Sequence, residues 1–438
     1  MTPDRFRLMH WMNARKTTPD LLGAAGVDTA VLTAVLDGSA PEVSEEQFTA
    51  LCAALRVAPE QIAARQDSTP AAVVLTADQL HATRRPIRRA GLHFYNYYTM
   101  AAPEGQVAPV ILDILCPAGT LPELNNGHLE PAITVNLGPG RIHGRWGAEL
   151  DATTWRVLEP GDSYVESSYC PHAYSLVDGT PARIVSYTGD SNLAPLLDEA
   201  NAWGDPAAAT MIADLDAGPP VSAVLRAALR RRCFDADSAG LACGVDADHI
   251  SAFCDGRTDS LDPDELRALG RSLGFDFRPL IEPVRRRDAL GKTHLTAAES
   301  RAGSRAFASY TATSLAMTPE LPDLVGVLLA VDGEAQGLDL ADHGENHYLV
   351  TAGDLTLHWQ EPDGTAVAAT LGPDGTAWLA PLVAHSWSGR GTVVKLGSGE
   401  RLGYLDHLEL TNTFAPAATL RRGRQDARGW GYEPGSGN

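Results

Sequence analysis

Three residues stand out for the chemistry they can do together: His128, Glu166 and His172. His128 lies in Asn125-Asn126-Gly127-His128-Leu129-Glu130, and the other two close the run Gly161-Asp162-Ser163-Tyr164-Val165-Glu166-Ser167-Ser168-Tyr169-Cys170-Pro171-His172. Two imidazoles and a carboxylate on neighbouring strands can converge on one interior point. Such a set holds Fe(II) by one face and leaves the opposite face open to substrate and dioxygen. A lone strand histidine is more often structural, and a Glu beside a turn is more often solvated. The set says more than its members, because carboxylates are seldom buried without a partner.

The elements between these residues read as strands. Ala132 to Leu137, Arg141 to Trp146 and Trp155 to Leu158 are rich in β-branched and aromatic residues, with turns at Gly138-Pro139-Gly140 and Pro160-Gly161. Just upstream, Arg84-Arg85-Pro86-Ile87-Arg88-Arg89 precedes His93-Phe94-Tyr95-Asn96-Tyr97-Tyr98. Arginine forks and tyrosine hydroxyls together suit a phosphate-like oxyanion. Strand alternation points every second side chain of Phe94 to Tyr98 inward. A solvated connector followed by an amphipathic strand is the competing account.

The chain repeats itself. Residues 5–65 read as short helices, with Thr18-Pro19 as a helix start and Ser44-Glu45-Glu46-Gln47 as a capping box, in the manner of helix-turn-helix domains. Gly26-Val27-Asp28 to Asp37-Gly38 returns as Gly244-Val245-Asp246 to Asp255-Gly256 at a constant spacing of 218. Polar, Arg-rich connectors at 66–90 and 283–305 lead into β-rich blocks. Asn125 to Glu130 aligns with Leu340 to Glu345, placing His343 opposite His128. Glu166 to His172 aligns with Leu379 to His385, so the carboxylate becomes Leu379. The expected fold class is α+β: two tandem units, each a helical domain followed by a cupin β-barrel. The domains are a first helical domain with its connector (1–90), an active barrel (91–200), a second helical domain with its connector (201–305), and a degenerate barrel with the C-terminal tail (306–438). Glu345 or His347 remains a candidate to rebuild a second site.

Composition narrows the partners. The net charge is −20 over 438 residues with no long run of one sign, which speaks against nucleic-acid or anionic-membrane binding. Neither helical region is basic, so a helix-turn-helix regulator with a cupin sensor is a distant alternative. Six cysteines without CxxC or framework spacing suggest reduced thiols. No leader and no apolar run of about 18 residues is present, and a cytoplasmic, soluble protein is expected. Homo-oligomerisation is left open.

The sequence resembles the 2-hydroxyethylphosphonate dioxygenase family of mononuclear non-heme iron enzymes. The likeness runs along essentially the whole chain. It includes His10-Trp11-Met12-Asn13-Ala14-Arg15-Lys16, Arg84 to Ile87, His93 to Thr99, Asn125 to Thr134, Gly161 to His172 and Leu410-Thr411-Asn412-Thr413-Phe414. The resemblance implies His128, Glu166 and His172 as Fe(II) ligands, and Arg89, Tyr97, Asn125 and Ser186 as holders of a phosphonate. It also implies Tyr164 near the substrate, and Lys16 reaching in from a helical domain. It implies a small-molecule phosphonate and O2 as reactants, with C–C cleavage of 2-hydroxyethylphosphonate to hydroxymethylphosphonate and formate in phosphonate antibiotic biosynthesis. Methylphosphonate synthase, similar in fold and substrate but with a glutamine among its ligands, is the nearer alternative. Hydroxypropylphosphonate epoxidase, with one helical domain and one barrel, is too short.

Overall fold

The computed structural model describes residues 2–39, 42–64, 70–89, 91–120, 123–147, 154–189, 193–258, 260–281, 293–335, 337–398 and 403–425. Helices α1 (Arg5–Ala14), α2 (Pro19–Ala24), α3 (Thr29–Asp37), α4 (Glu45–Leu55) and α5 (Pro59–Ile62) open the chain. Their ends follow local chemistry. Thr18 caps α2 with Pro19 in its first turn, Asp28 caps α3, and Gly38 closes α3 at φ 83°. Ser44 caps α4, but Gln47 accepts from the Asp28 N–H at 2.9 Å. The expected capping box thus gives way to a tie between helices.

The first β-rich block follows: β1 (Ala72–Leu75), α6 (Ala77–Ala82), β2 (Arg85–Arg89), β3 (Leu92–Thr99), β4 (Val110–Ile114), β5 (Ala132–Pro139), β6 (Ile142–Trp146), β7 (Thr154–Leu158), β8 (Ser163–Glu166), β9 (His172–Leu176) and β10 (Ala182–Thr188). Six helices come next: α7 (Ala194–Asn201), α8 (Asp205–Asp216), α9 (Pro220–Arg231), α10 (Ala236–Cys243), α11 (Ala247–Cys254) and α12 (Pro263–Leu273). The second block holds β11 (Thr293–Leu295), α13 (Ala297–Ala302), β12 (Arg305–Phe307), β13 (Tyr310–Ser314), β14 (Val325–Gly333), β15 (Glu345–Gln360), β16 (Ala366–Leu371), β17 (Thr376–Leu379) and β18 (His385–Ser398). Helices α14 (Tyr404–Thr411) and α15 (Pro416–Gln425) close the described chain.

The two helical groups bury matching positions 218 residues apart. Val27, Leu32, Val35, Phe48, Leu51 and Leu55 form the first core, and Val245, Ile250, Phe253, Leu266, Leu269 and Leu273 the second. Each such side chain contributes roughly 1.5–3 kcal/mol relative to exposure.

The β-blocks depart from closed barrels. In the first, β11-β8-β5-β10-β4-β3-β2 make one seven-stranded sheet, and β7-β6-β9 make a separate three-stranded one. Phe94, Leu112 and Ile184 of the larger sheet pack on Ile142, Leu158 and Tyr174 of the smaller. The second block is a single eight-stranded sheet built on the long, bulged pair β15–β18. The connectors also differ from expectation. Each carries a strand, a capped helix and a strand, and the first strand of each pairs with the other block, β1 on β17 and β11 on β8. The blocks also share apolar packing: Ile133, Val185 and Tyr187 meet Leu349, Val394 and Leu396. Arg183 bridges them by bonding Asp374 at 2.8 and 2.9 Å and Asp113 at 2.8 Å. None of the six cysteines is joined in a disulfide. Among the described residues no helix is long and apolar enough to cross a membrane.

Candidate metal centre

Glu166 ends β8, paired with Ala132 of β5, and is 1% exposed. A carboxylate so buried needs a positive partner. The two histidines flank it: His128 lies in the loop before β5, and His172 is the first residue of β9. Their ligand atoms and that of Glu166 all lie within 4.8 Å of one another, and this is the only such group of three or more among the described residues. His128 Nε2 and His172 Nδ1 are each 3.5 Å from Glu166 Oε1.

Both imidazoles are oriented by main-chain carbonyls. His128 Nδ1 lies 2.5 Å from the Glu130 oxygen, and His172 Nδ1 lies 3.0 Å from the Cys170 oxygen. The His128 tie, with Nε2 left to face Glu166, is the kind that fixes tautomer and ring orientation in metal-ligating histidines; in His172 the nitrogen nearest the Cys170 oxygen is also the one nearest Glu166. Burial pulls the His128 pKa down, but the bond and charge of Glu166, with help from Glu130, outweigh it and leave the value raised.

Asn125 knits the two loops together. Its side-chain oxygen accepts from the backbone N–H of Gly127 at 3.0 Å and of His172 at 2.8 Å, while Nδ2 lies 3.0 Å from His172 Nε2. Tyr169 N–H donates to the His128 carbonyl at 2.7 Å. Gly127 makes this close approach feasible. Its φ is 73°, and a Cβ there would stand 2.6 Å from the Tyr169 carbonyl carbon.

His128 and His172 line a cavity of about 340 Å³ whose wall also includes Arg85, Tyr97, Asn125 and Ser186 but not the buried Glu166. Of the expected substrate-binding residues, Tyr97, Asn125 and Ser186 therefore meet the two histidines there. Arg89 ends β2, and its side chain lies outside the described residues. Tyr164 does not line the cavity; it is buried behind Tyr174, with the two hydroxyls in contact. Lys16 is exposed beyond α1, bonded to Asn13 at 3.4 Å, and is not on the cavity wall. Arg85 and Tyr95 belong to the Arg- and Tyr-rich runs singled out in the sequence but were given no individual role there, and Tyr174 was passed over. The signal for the first two was strand alternation: Arg85 pairs with Tyr97 and Ile87 with Tyr95, so all four share the inner face.

The second block corrects the expected alignment. Leu340 N–H donates to the His385 carbonyl as Asn125 N–H does to that of His172, and Leu382 N–H donates to the Asp342 carbonyl as Tyr169 N–H does to that of His128. The loop is one residue shorter, so Asp342, not His343, stands at the His128 position. Leu379 ends β17 as Glu166 ends β8. Glu345 and His347 do not rebuild a site. Both are fully buried, Glu345 accepting from Tyr187 and Trp378 at 3.0 Å each, and His347 Nδ1 lying 3.2 Å from the Ala101 carbonyl.

Residues 81–189 match the family model described as the 2-hydroxyethylphosphonate dioxygenase cupin-like domain. A 2-hydroxyethylphosphonate dioxygenase of Streptomyces viridochromogenes is 52% identical, covering 99% of this chain and 100% of its own. A structure of PhpD with cadmium, complexed with hydroethylphosphonate (HEP), is 50% identical at a TM-score of 0.81, covering 97% of this chain and 100% of that one. A Streptomyces albus HEPD structure with 2-hydroxyethylphosphonate and Fe(II) bound keeps the fold at 19% identity and a TM-score of 0.81, each chain 98% covered. On half-identity sustained from end to end, the chain is an enzyme belonging to the 2-hydroxyethylphosphonate dioxygenase family.

Proposed function

We propose that this enzyme uses Fe(II) and O2 to cleave the C–C bond of 2-hydroxyethylphosphonate, giving hydroxymethylphosphonate and formate. The observation that carries the proposal is the convergence of His128, Glu166 and His172, with the two histidines on the wall of a cavity that also bears Arg85, Tyr97, Asn125 and Ser186. The donor set suits a divalent metal. Two imidazoles and one buried carboxylate, with ligand atoms within 4.8 Å of one another, would hold the metal as the two-histidine, one-carboxylate set of non-heme iron oxygenases does. The relatives named for this activity, and the one holding HEP beside cadmium, support the same substrate. Glu166, where a methylphosphonate synthase carries glutamine, favours the dioxygenase outcome.

When bound, the metal supplies dioxygen activation. The chain's residues supply position. Arg85 and Tyr97, paired across β2 and β3, and Ser186 of β10 present donors to the phosphonate oxygens. Asn125 adds an amide donor next to His172, and we assign Arg89 to the same clamp as a further cation. Holding the anionic end fixes where the hydroxyl-bearing carbon lies relative to the triad, which is the orientation contribution of an enzyme site. The apolar floor of Ile184, Leu112 and Val110 excludes water. The substrate carbons supply all four electrons that O2 accepts, and the atoms of substrate and O2 equal those of the two products, so no reductant is required.

We further read the chain as two tandem copies of a helix-turn-helix-like domain plus cupin, divided at 1–90, 91–200, 201–305 and 306–438, with the first cupin active, and place the enzyme in the cytoplasm. The function is tested by anaerobic Fe(II) loading, addition of 2-hydroxyethylphosphonate and O2, and phosphorus NMR. Hydroxymethylphosphonate with equimolar formate is expected. Methylphosphonate as main product, or no turnover by iron-loaded protein, overturns it.

A further inference from the structure

Glu166 ends a strand that the second block helps to hold. β8 pairs with β5 on one side and with β11 on the other, where Thr293, His294 and Leu295 stand opposite Val165, Tyr164 and Ser163. By strand alternation Asp162, Tyr164 and Glu166 share a face, and His294 joins them from β11. Asp162 is 5% exposed, and a carboxylate so buried is costly without partners. Its partners tie three segments together. Oδ2 accepts from the Glu159 N–H at 3.0 Å, and Oδ1 accepts from the Ala297 N–H, at the start of α13, at 2.8 Å. The buried Nε2 of His294 faces Oδ2 at 3.5 Å. His294 and Ala297 both belong to the second block.

The reciprocal pairing offers a comparison inside the same molecule. β17 stands to β1 as β8 does to β11, with Val73, Val74 and Leu75 opposite Trp378, Ala377 and Thr376. One side-chain tie is kept: Ser163 Oγ accepts from the Ala316 N–H at 2.9 Å, and Thr376 Oγ1 from the Ala101 N–H at 3.1 Å. The main-chain bond before the strand is kept too. Asn136 N–H donates to the Asp162 carbonyl and Val350 N–H to that of Gly375, both at 2.9 Å. The carboxylate and imidazole are not kept, for Asp162 becomes Gly375 and His294 becomes Val74. The second block sets its carboxylate one residue earlier, at Asp374, which meets His81 at 2.9 Å and Arg183 at 2.8 Å. A carboxylate on the ligand's own strand face thus accompanies Glu166 and gives way to glycine where the ligand gives way to Leu379.

We propose that Asp162 and His294 are positioning residues that lock the register of β8 between β5 and β11 and so aim Glu166 at His128 and His172. A slip of one residue in a strand pair turns every side chain to the other face, which carries Glu166 away from the imidazoles. Asp162 opposes that slip, because its carboxylate then loses Ala297 and His294, and a buried acceptor left without its donors is penalised. The second block therefore supports a metal centre whose three ligands all lie in the first. The inference rests on the triad as the metal ligands.

The test titrates the full chain, kept anaerobic, with Fe(II) and with Co(II). It reads metal affinity, the ligand-field absorption bands of the cobalt form at saturating metal, and unfolding by denaturant. His294→Ala and Asp162→Asn are expected to weaken metal binding about tenfold and to shift the cobalt bands. His294→Gln keeps an N–H donor for Asp162 and is expected to bind metal as the parent does. Val74→Ala, at the matching place on β1, is expected to lower stability and to leave affinity and bands at parental values. Parental affinity and bands in His294→Ala overturn the proposal. So does an equal loss of affinity in Val74→Ala, which marks general loosening, and so does a His294→Gln protein as weak as His294→Ala. If Asp162→Asn does not fold, the His294 and Val74 variants still decide. A parent protein that binds neither metal removes the triad reading itself, whereas a parent that binds and variants that match it remove only the positioning role.

Discussion

At the end of β8 stands Glu166, and at the end of β17 the same backbone position is Leu379; the partners around the two differ as a set. His385 keeps the carbonyl tie of His172, with Nδ1 2.8 Å from the Val383 oxygen. Its Nε2, however, meets the Tyr348 hydroxyl at 2.6 Å. Asp342, in the His128 place, pairs with Lys395 at 2.7 Å, and Lys395 stands opposite Tyr348 of β15 as Ser186 stands opposite Thr134 of β5. At the equivalent positions of the second block, Asp342 and His385 are each engaged by a different neighbour, whereas the three of the first converge beside a cavity lined by His128 and His172. Burial pushes His385 down to about 4, while Glu166 raises His128. The contrast teaches that a ligand set is retained or neutralised as a whole, because one leftover charge in a buried site is costly.

The largest expected effect comes from making the first site like the second. Glu166→Leu should abolish metal loading, beyond the roughly 10–100-fold that losing an outer-shell partner costs. The metal-free protein should melt no lower, since a buried carboxylate is exchanged for an apolar side chain. Metal analysis after anaerobic loading and a melting curve check both parts. The reverse change is asymmetric. Leu379→Glu alone should bind no metal and lose on the order of 3 kcal/mol, an unpartnered buried charge. Adding Asp342→His, Tyr348→Thr and Lys395→Ser should allow metal binding. A quadruple variant that folds but takes up no metal breaks the correspondence between the blocks.

Gly127 sharpens the comparison at the loop. The shorter second loop has Ala341 at this point, without a left-handed φ. Gly127→Ala forces a Cβ against the Tyr169 backbone at φ 73° and should cost about 2–3 kcal/mol together with metal affinity. Ala341→Gly should change stability by less than about 1 kcal/mol. Denaturant unfolding of both variants decides.

These contrasts also show what the sequence could and could not reveal. His128, Glu166 and His172 were legible because their residue types are rarely buried and their spacing suits adjacent strands. The helical repeat was legible because glycine and aspartate mark its turns at constant spacing. The exchange of β1 and β11 was not, since Ala72 to Leu75 and Thr293 to Leu295 are short and sit in polar connectors whose partners are far along the chain. The open sheets were hidden too, because strand patterning does not say which edges meet. The alignment of His343 with His128 failed through a single missing residue, which only backbone hydrogen bonds disclose.

Acidification separates the blocks further. The His385 pKa is depressed when folded, so its neutral form contributes stability above the unfolded value near 6.5, and this is lost as the pH falls through about 4. Over that window the metal-free protein should lose on the order of 2–3 kcal/mol from this residue. His128 has the opposite sign. Its raised folded pKa adds stability as it protonates, present below the unfolded value and lost as the pH rises through the folded one. Melting curves from pH 7 to 4 on the parent and His385→Gln should show a shallower decline in the variant. Parallel declines refute the assignment.

The smallest effect lies in the feature that the blocks share. Tyr95 accepts from Tyr174 N–H and donates to its carbonyl, both at 3.0 Å; Tyr310 accepts from Trp387 N–H at 2.9 Å and donates to its carbonyl at 3.4 Å. Each hydroxyl holds the strand two residues beyond the block's histidine, His172 or His385. Tyr95→Phe and Tyr310→Phe should therefore cost similar amounts, about 1–2 kcal/mol each, because each leaves one buried N–H and one carbonyl unpaired. Only Tyr95→Phe should also weaken metal binding, by up to about tenfold, since only β9 carries a ligand. Unfolding free energies and metal titrations of the two variants form the comparison. If Tyr310→Phe lowers metal affinity as much as Tyr95→Phe does, the bracket acts through the shared core between the blocks and not through the strand that bears His172.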